Sequence, residues 1–358
     1  MTAHPKAGEL PLGKMTLFRR WAATLATAGL LASGCGGGSG DSSVVTIGVL
    51  SAALADTAEA STYRVSQYSA QTVRFPALDY KAETEFDDQP PAIVGTVSRD
   101  RQHFAVDIGG LLGPLVGGAP DIGFGIWVDS DRVVVDSRDF QQLKDLDPEA
   151  QFGPFEPGVS FVDLNTIKTE SPDLLAAIVG SPVPDLSEMA LSLPAALKTI
   201  KQTGTDPQTF VGTATFADLV EAQGVDLAIH ARSTAAGVGL NSPVSVDALT
   251  DLYIEFFRGL QADVFIELDE RGLLRVFEVG TDLSGIYDAV FEDDSLFPGM
   301  TEQERSEAAA GFKGAELILK TRSVYEADID LDVPQAPEVT EDRTEVWREF
   351  LVDAGFRG

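Results

Sequence analysis

The sequence predicts an α+β fold in which antiparallel strands form one sheet and amphipathic helices pack against it. Three observations carry that prediction. Apolar and polar residues alternate with period two from residue 62 to about 136, and again from 261 to 333. Between these two regions, "VDALTDLYIEFFRGLQ" places apolar residues at helical spacing. The strand segments are joined by short turns, and short turns join antiparallel neighbours.

Taken in chain order, residues 1–35 read as an export leader. Lys14, Arg19 and Arg20 give a basic start, Trp21 to Leu31 an apolar run, and Ala32-Ser33-Gly34 a small-residue site. That order is the secretory pattern, and the run falls short of the roughly 20 residues a membrane-spanning helix needs. Small residues directly before Cys35, the chain's single cysteine, resemble the bacterial lipobox, with Ala32 where leucine is commoner. The resemblance implies that Cys35 becomes the mature N-terminus with diacylglycerol on its sulfur. At about 0.8 kcal/mol per buried methylene, two or three acyl chains would anchor the chain to the outer face of the cell membrane. No basic neighbour stands beside Cys35 to lower its pKa, so a reactive thiol is the weaker reading. Residues 36–47, which open GGGSGDSS, read as a flexible tether.

The expected folded domain spans 48–334. A helix is expected over 44–60, then strands in "TYRVSQYSAQTV", "FAVDIG", "DIGFGIWVDS" and "VVVDS" as an antiparallel meander. Prolines and glycines cluster at 145–158, and Ser171-Pro172 reads as a cap and first helical position leading into "DLLAAIVG". Leu186, Met189, Leu193, Leu197 and Ile200 continue a helical period, with Pro194 as a kink. Strand character returns at "TFVGTATFADLV". Ser245 is the expected cap of the helix over 246–260, and "VFIELDERGLLRVFEVG" reads as a hairpin turning at Gly272. A closing strand is expected over 315–334. Residues 335–358 read as a Pro- and acid-rich linker with a short amphipathic helix, and no internal repeat is present.

The formal net charge is −30, and the leader removes four basic residues and one acid, leaving about −33. Such a field repels phosphate backbones, which excludes nucleic acid as a partner. With no basic patch, membrane attachment must come from the lipid on Cys35. The acids are spread along the chain and read as a solvated surface.

Catalytic chemistry finds little support. The three histidines, His4, His103 and His230, have no His or Cys partner at ligand spacing, so a zinc site would depend on carboxylates. Nucleophile-elbow, P-loop and dinucleotide glycine patterns are missing from the sequence. "DIDLDV" places Asp328, Asp330 and Asp332 on one strand face, most simply the solvent face. "FEDDSL" (291–296) lacks EF-hand spacing. The reading is a non-enzyme with no metal or cofactor.

The assembled order is lipobox, tether, helix, antiparallel strands, helical middle, the hairpin "VFIELDERGLLRVFEVG" and a final strand into "DIDLDVPQAPEV". It resembles the LolA/LprG-like (LppX/LprAFG-type) bacterial lipoprotein superfamily over roughly 48–340. The resemblance implies a curved antiparallel half-barrel with helices packed on its concave face. It also implies a lipid or glycolipid ligand held between the two layers for transport or assembly in the cell envelope. The candidate cavity walls are then Phe104, Val106, Phe124, Ile126, Val264 and Ile266 on the sheet and Leu252, Tyr253 and Phe256 on a helix. The Pro-rich middle and the tail helix depart from the family's pattern. Taken singly, each of these residues reads first as packed core and only second as cavity lining, because periodicity does not separate a core face from a cavity lining. The alternative is an envelope interaction or sensor lipoprotein with a filled core and no cargo.

Overall fold

The computed structural model describes residues 41–60, 62–98, 101–108, 122–146, 148, 152–170, 186–222, 226–239, 245–293, 296–297, 299–327 and 331–353. The leader, Cys35, residues 36–40 and the helix expected after Ser171 lie outside the described residues.

Helix α1 (Asp41–Ala58) leads into β1 (Thr62–Phe75), β2 (Tyr80–Thr84), β3 (Ile93–Ser98), β4 (Gln102–Asp107), β5 (Gly123–Val128) and β6 (Arg132–Asp136). After α2 (Gln141–Leu146) come β7 (Val159–Asp163), α3 (Leu164–Glu170), α4 (Leu186–Ala196), β8 (Thr199–Thr205) and β9 (Gln208–Thr215). Three helices follow, α5 (Phe216–Glu221), α6 (Leu227–Gly239) and α7 (Val246–Gly259), and then the hairpin β10 (Gln261–Leu268) and β11 (Leu274–Asp282). The chain ends with α8 (Ile286–Glu292), α9 (Glu302–Ala310), β12 (Glu316–Ala327), β13 (Glu341–Asp342) and α10 (Thr344–Asp353).

Among the described residues all strands join one 13-stranded sheet, in the order β13-β7-β6-β5-β4-β3-β1-β12-β11-β10-β9-β8, with β2 also on β1. Every pairing is antiparallel except β13 with β7. The sheet is open and curved, and helices pack on its concave face, which is the expected α+β half-barrel.

Register gives the sheet two unlike faces. On one, β1 presents Tyr63, Val65, Gln67, Ser69, Gln71 and Val73 opposite Ala327, Tyr325, Ser323, Thr321, Leu319 and Leu317 of β12. Followed through its neighbours, this face carries no charged residue from β1 to β12. It shares a core cluster with Leu50 and Leu54 of α1, Met189 and Leu193 of α4, Ala231 and Ala235 of α6, Leu249 and Tyr253 of α7, and Ile286 of α8. The other face pairs charges in register: Arg64 faces Glu326, Arg74 faces Glu316 and Arg322 faces Glu278, the last joined at 2.6 Å. Period-two alternation thus sorts the chain into a neutral interior and a charged exterior.

The structure corrects several expected boundaries. Helix α1 begins at Asp41, so residues 41–43, read as tether alone, are helical, as are residues 44–47, which fell within both the tether and the expected helix. The segment has no glycine between 41 and 47 and opens Asp-Ser-Ser, residue types that favour helix starts. Helix α4 stops at Ala196, just past Pro194, and Ile200 sits on β8, where the Thr-rich run pairs with β9. "FADLV" is helix α5, because the Thr215 hydroxyl accepts from Asp218 N at the helix start. Ser245 occupies the cap position of α7 without a side-chain hydrogen bond. Of the closing strand expected over 315–334, Glu316–Ala327 is strand, with Ala327 opposite Tyr63, and residues 331–334 are irregular chain. Asp328 and Asp330 lie outside the described residues, and Asp332 is in irregular chain.

The segment expected to be a linker is tied down. Thr340 N donates to Val159 O at 3.0 Å, and β13 runs parallel beside β7. Arg343, buried, donates from Nη1 to Glu156 O at 2.6 Å and from Nη2 to Glu341 Oε2 at 2.6 Å. Helix α10 then lays Trp347 and Leu351 against Val162 and Ile167, covering the far end of the neutral face.

Gly95 shows how closely that face is packed. It stands opposite Phe104 in register, and the Phe104 ring lies over it; a Cβ there would sit 2.6 Å from the ring and 2.9 Å from Val65 Cγ1. Gly95→Ala is expected to lower stability by about 1–3 kcal/mol, the usual cost of overpacking, read as a lower denaturation midpoint at unchanged m-value. A Phe104→Leu change in the same chain should recover part of the loss.

Candidate functional site

The site suggested by sequence is the space between the concave face and the helices. All nine candidate wall residues belong to this one core region. Phe104, Val106, Tyr253, Val264 and Ile266 are buried, and Phe124, Ile126, Leu252 and Phe256 are partly exposed. They form three groups. Phe104 faces Ile126, and Val106 faces Phe124, across β4 and β5. Val264 and Ile266 lie on β10, beyond β3, β1, β12 and β11 on the same face.

The three α7 residues divide. Tyr253 points inward and stacks on Phe257, with ring centroids 5.6 Å apart at 10°. Its hydroxyl has no hydrogen-bond partner among the described residues, and burial pushes its pKa well above the ordinary tyrosine range. Leu252 and Phe256 instead line a cleft of about 620 Å³ between α7 and α8, with Leu260, Gly285 and Ala289 as further apolar wall. Glu255, Asp282, Glu292 and Asp293 ring this cleft, so it joins an apolar floor to an acidic rim.

The structure adds residues that the sequence reading passed over. Between the two apolar groups on the sheet, Gln67, Gln71, Thr281, Thr321 and Ser323 are buried on the neutral face. Gln67 and Ser323 are each 1% exposed, and Gln67 Nε2 reaches Ser323 Oγ at 3.5 Å, the long end of the hydrogen-bond range. The signal was present in β1, where Gln67, Ser69 and Gln71 alternate in phase with Val65 and Val73. That phase places three polar side chains on the face that the valines mark as interior.

A second concavity, about 640 Å³, lies on the charged side of β8 to β12, where Lys201, Val211, Phe265, Glu278 and Lys320 line it. Among the described residues no three metal-ligating side chains cluster. What the interior offers chemically is apolar surface, neutral hydrogen-bonding groups and exclusion of charge.

No protein-family model and no curated protein matches the sequence. Among solved structures, the crystal structure of LprF from Mycobacterium bovis is similar: the two chains are 9% identical, the match covers 82% of this chain and 98% of that one, and the TM-score is 0.32. The likeness concerns fold alone.

His230 on α6 is buried beside Phe216 and Phe257, with centroids 6.1 and 5.8 Å away, and its Nε2 has no partner among the described residues. Desolvation lowers its pKa from 6.5 to about 4. Between those values the unfolded chain takes up a proton that the folded chain refuses. Stability therefore falls as pH drops from 6.5 toward 4, by about 3 kcal/mol for this group. His230→Phe should lose correspondingly less stability than the parent between pH 7 and pH 4.5 in denaturant titrations.

Proposed function

We propose that this chain is a membrane-anchored, non-enzymatic envelope lipoprotein that holds a lipid or glycolipid between its helices and its sheet, for transport or assembly in the envelope. One observation carries the reading: a wide, curved sheet turns a face without a single charged residue from β1 to β12 toward its helices, while charge pairs occupy the other face. Apolar cavities between packed layers suit acyl chains, and nothing ionic would have to be desolvated to admit them. The candidate walls are Phe104, Val106, Phe124, Ile126, Tyr253, Val264 and Ile266, with Leu252 and Phe256 at the α7–α8 cleft. The order of elements in the sequence, which resembles the LolA/LprG-like lipoproteins, supports the same reading.

A second reading is a docking or sensor lipoprotein with a filled core. The observation that favours it is the groove on the charged side, where Val211 is 40% exposed beside Phe265.

The deciding measurement is mass spectrometry of organic extracts from protein that begins at Gly36 and is purified without detergent. Stoichiometric co-purified lipid is the expected result. A protein that is empty and takes up no added lipid would leave the docking reading in front. In the full-length chain, Cys35→Ser is expected to abolish acylation and to move the protein from the membrane fraction to the soluble one. Retention of the variant on membranes would overturn the assignment of Cys35 as the anchor.

A further inference from the structure

The neutral face is not uniformly apolar, and its polar part is concentrated. On β1 the inward residues run Val65, Gln67, Ser69, Gln71, Val73. Opposite them on β12 stand Tyr325, Ser323, Thr321, Leu319 and Leu317, and β11 places Phe277, Val279 and Thr281 beyond Ser323, Thr321 and Leu319. Facing residues on antiparallel strands have Cβ atoms roughly 5 Å apart, so Gln67 with Ser323 and Ser69 with Thr321 form one patch. Gln71 and Thr281 flank Leu319 at its edge. Apolar surface borders it on both sides, with Phe104 and Ile126 toward β5 and Ile266 and Phe210 toward β9.

Such a patch is costly as plain core. A buried polar group left without a partner destabilises by about 1–3 kcal/mol, and leucine or valine would suit this face without that loss. Gln67 Oε1 is buried and accepts no hydrogen bond among the described residues, while Gln67 Nε2 donates to Ser323 Oγ at 3.5 Å. The patch thus presents the Gln67 Oε1 acceptor next to the Ser323 hydroxyl, which can donate. No cation lies on this face to balance a phosphate or carboxylate, so an anionic group would enter unpaired.

We propose that the patch centred on Gln67 and Ser323 is a hydrogen-bonding subsite that receives a hydroxyl carried within the apolar body of the cargo. This rests on the reading that the interior holds lipid. It selects neutral, hydroxylated lipids over plain hydrocarbon chains: Gln67 Oε1 accepts from the ligand hydroxyl, and Ser323 Oγ donates to it. The hydrocarbon on either side of that hydroxyl runs toward β4–β5 and toward β9–β10.

The test uses delipidated protein beginning at Gly36 and a matched pair of probes, methyl 12-hydroxystearate and methyl stearate, each displacing a fluorescent fatty acyl ester. The parent protein is expected to prefer the hydroxylated ester by roughly five-fold, the change one neutral hydrogen bond produces. Gln67→Met and, separately, Ser323→Ala should abolish that preference while binding methyl stearate at least as well as the parent. Circular dichroism and denaturation midpoints verify that each variant is folded, and the second variant serves if the first is not. Equal binding of both esters by the parent, or a preference that survives in a folded variant, would overturn the subsite and leave the lipid reading standing. Failure of the parent to bind either ester would overturn both.

Discussion

The long antiparallel pairing of β1 with β12 is the constraint on which the rest of the molecule hangs. It runs in unbroken register from Tyr63 opposite Ala327 to Arg74 opposite Glu316. Strands β3 to β7 extend the sheet from one side of this pair, and β11 back to β8 extend it from the other. Without it the two halves would be separate ribbons, each with an exposed edge in the middle of the protein. The pairing joins residues more than two hundred positions apart, so the chain must close a long loop before either half gains its neighbour. Once formed, it also fixes which side chains are interior, because a slip of one residue would exchange the neutral row of β1 for Arg64, Ser66 and Tyr68.

That sorting decides how a chain so acidic keeps a large core. Ion pairs across the outer face, such as Arg74 with Glu316, are solvent-exposed enough to contribute little each. The inner face gains its stability from packing, as the Phe104 ring over Gly95 illustrates. The polar patch at its centre is the exception, and it sits on the very strands that hold the sheet together. Substitutions there therefore have two readouts, stability and cargo preference, which need to be measured separately.

The C-terminal segment answers a different problem. Beyond β6 the sheet narrows, and β7 would be an edge with its neutral face uncovered. Thr340 and β13 occupy part of that edge, Arg343 satisfies the carbonyl of Glu156, and α10 brings Trp347 over Val162 and its neighbours. An arginine buried this way is held by carbonyl dipoles and Glu341 together, which is the condition for a buried guanidinium to be tolerated.

Local periodicity was enough to reveal the strands of β1, β4, β5, β10 and β11, the hairpin at Gly272 and the α7 stripe, because alternation and helical spacing are properties of neighbouring residues. The amphipathic tail helix was legible for the same reason, and so was the burial of Phe104, Val106, Tyr253, Val264 and Ile266. Their distribution was not. Phe104 and Ile266 stand on opposite flanks of β1 and β12, and Leu252 and Phe256 face a cleft instead of the sheet, because strand order and helix rotation are set by contacts between distant segments. The β8 strand was missed because Ile200 continued the spacing of a helix that ends at Ala196, and only pairing with β9 could decide it. Gln67 and Ser323 are ordinary polar residues in their own strands. The sequence by itself determined that a neutral row and a charged row would alternate along each strand; only the tertiary structure decided that two such rows meet and are covered by helices, because burial depends on which strand arrives alongside.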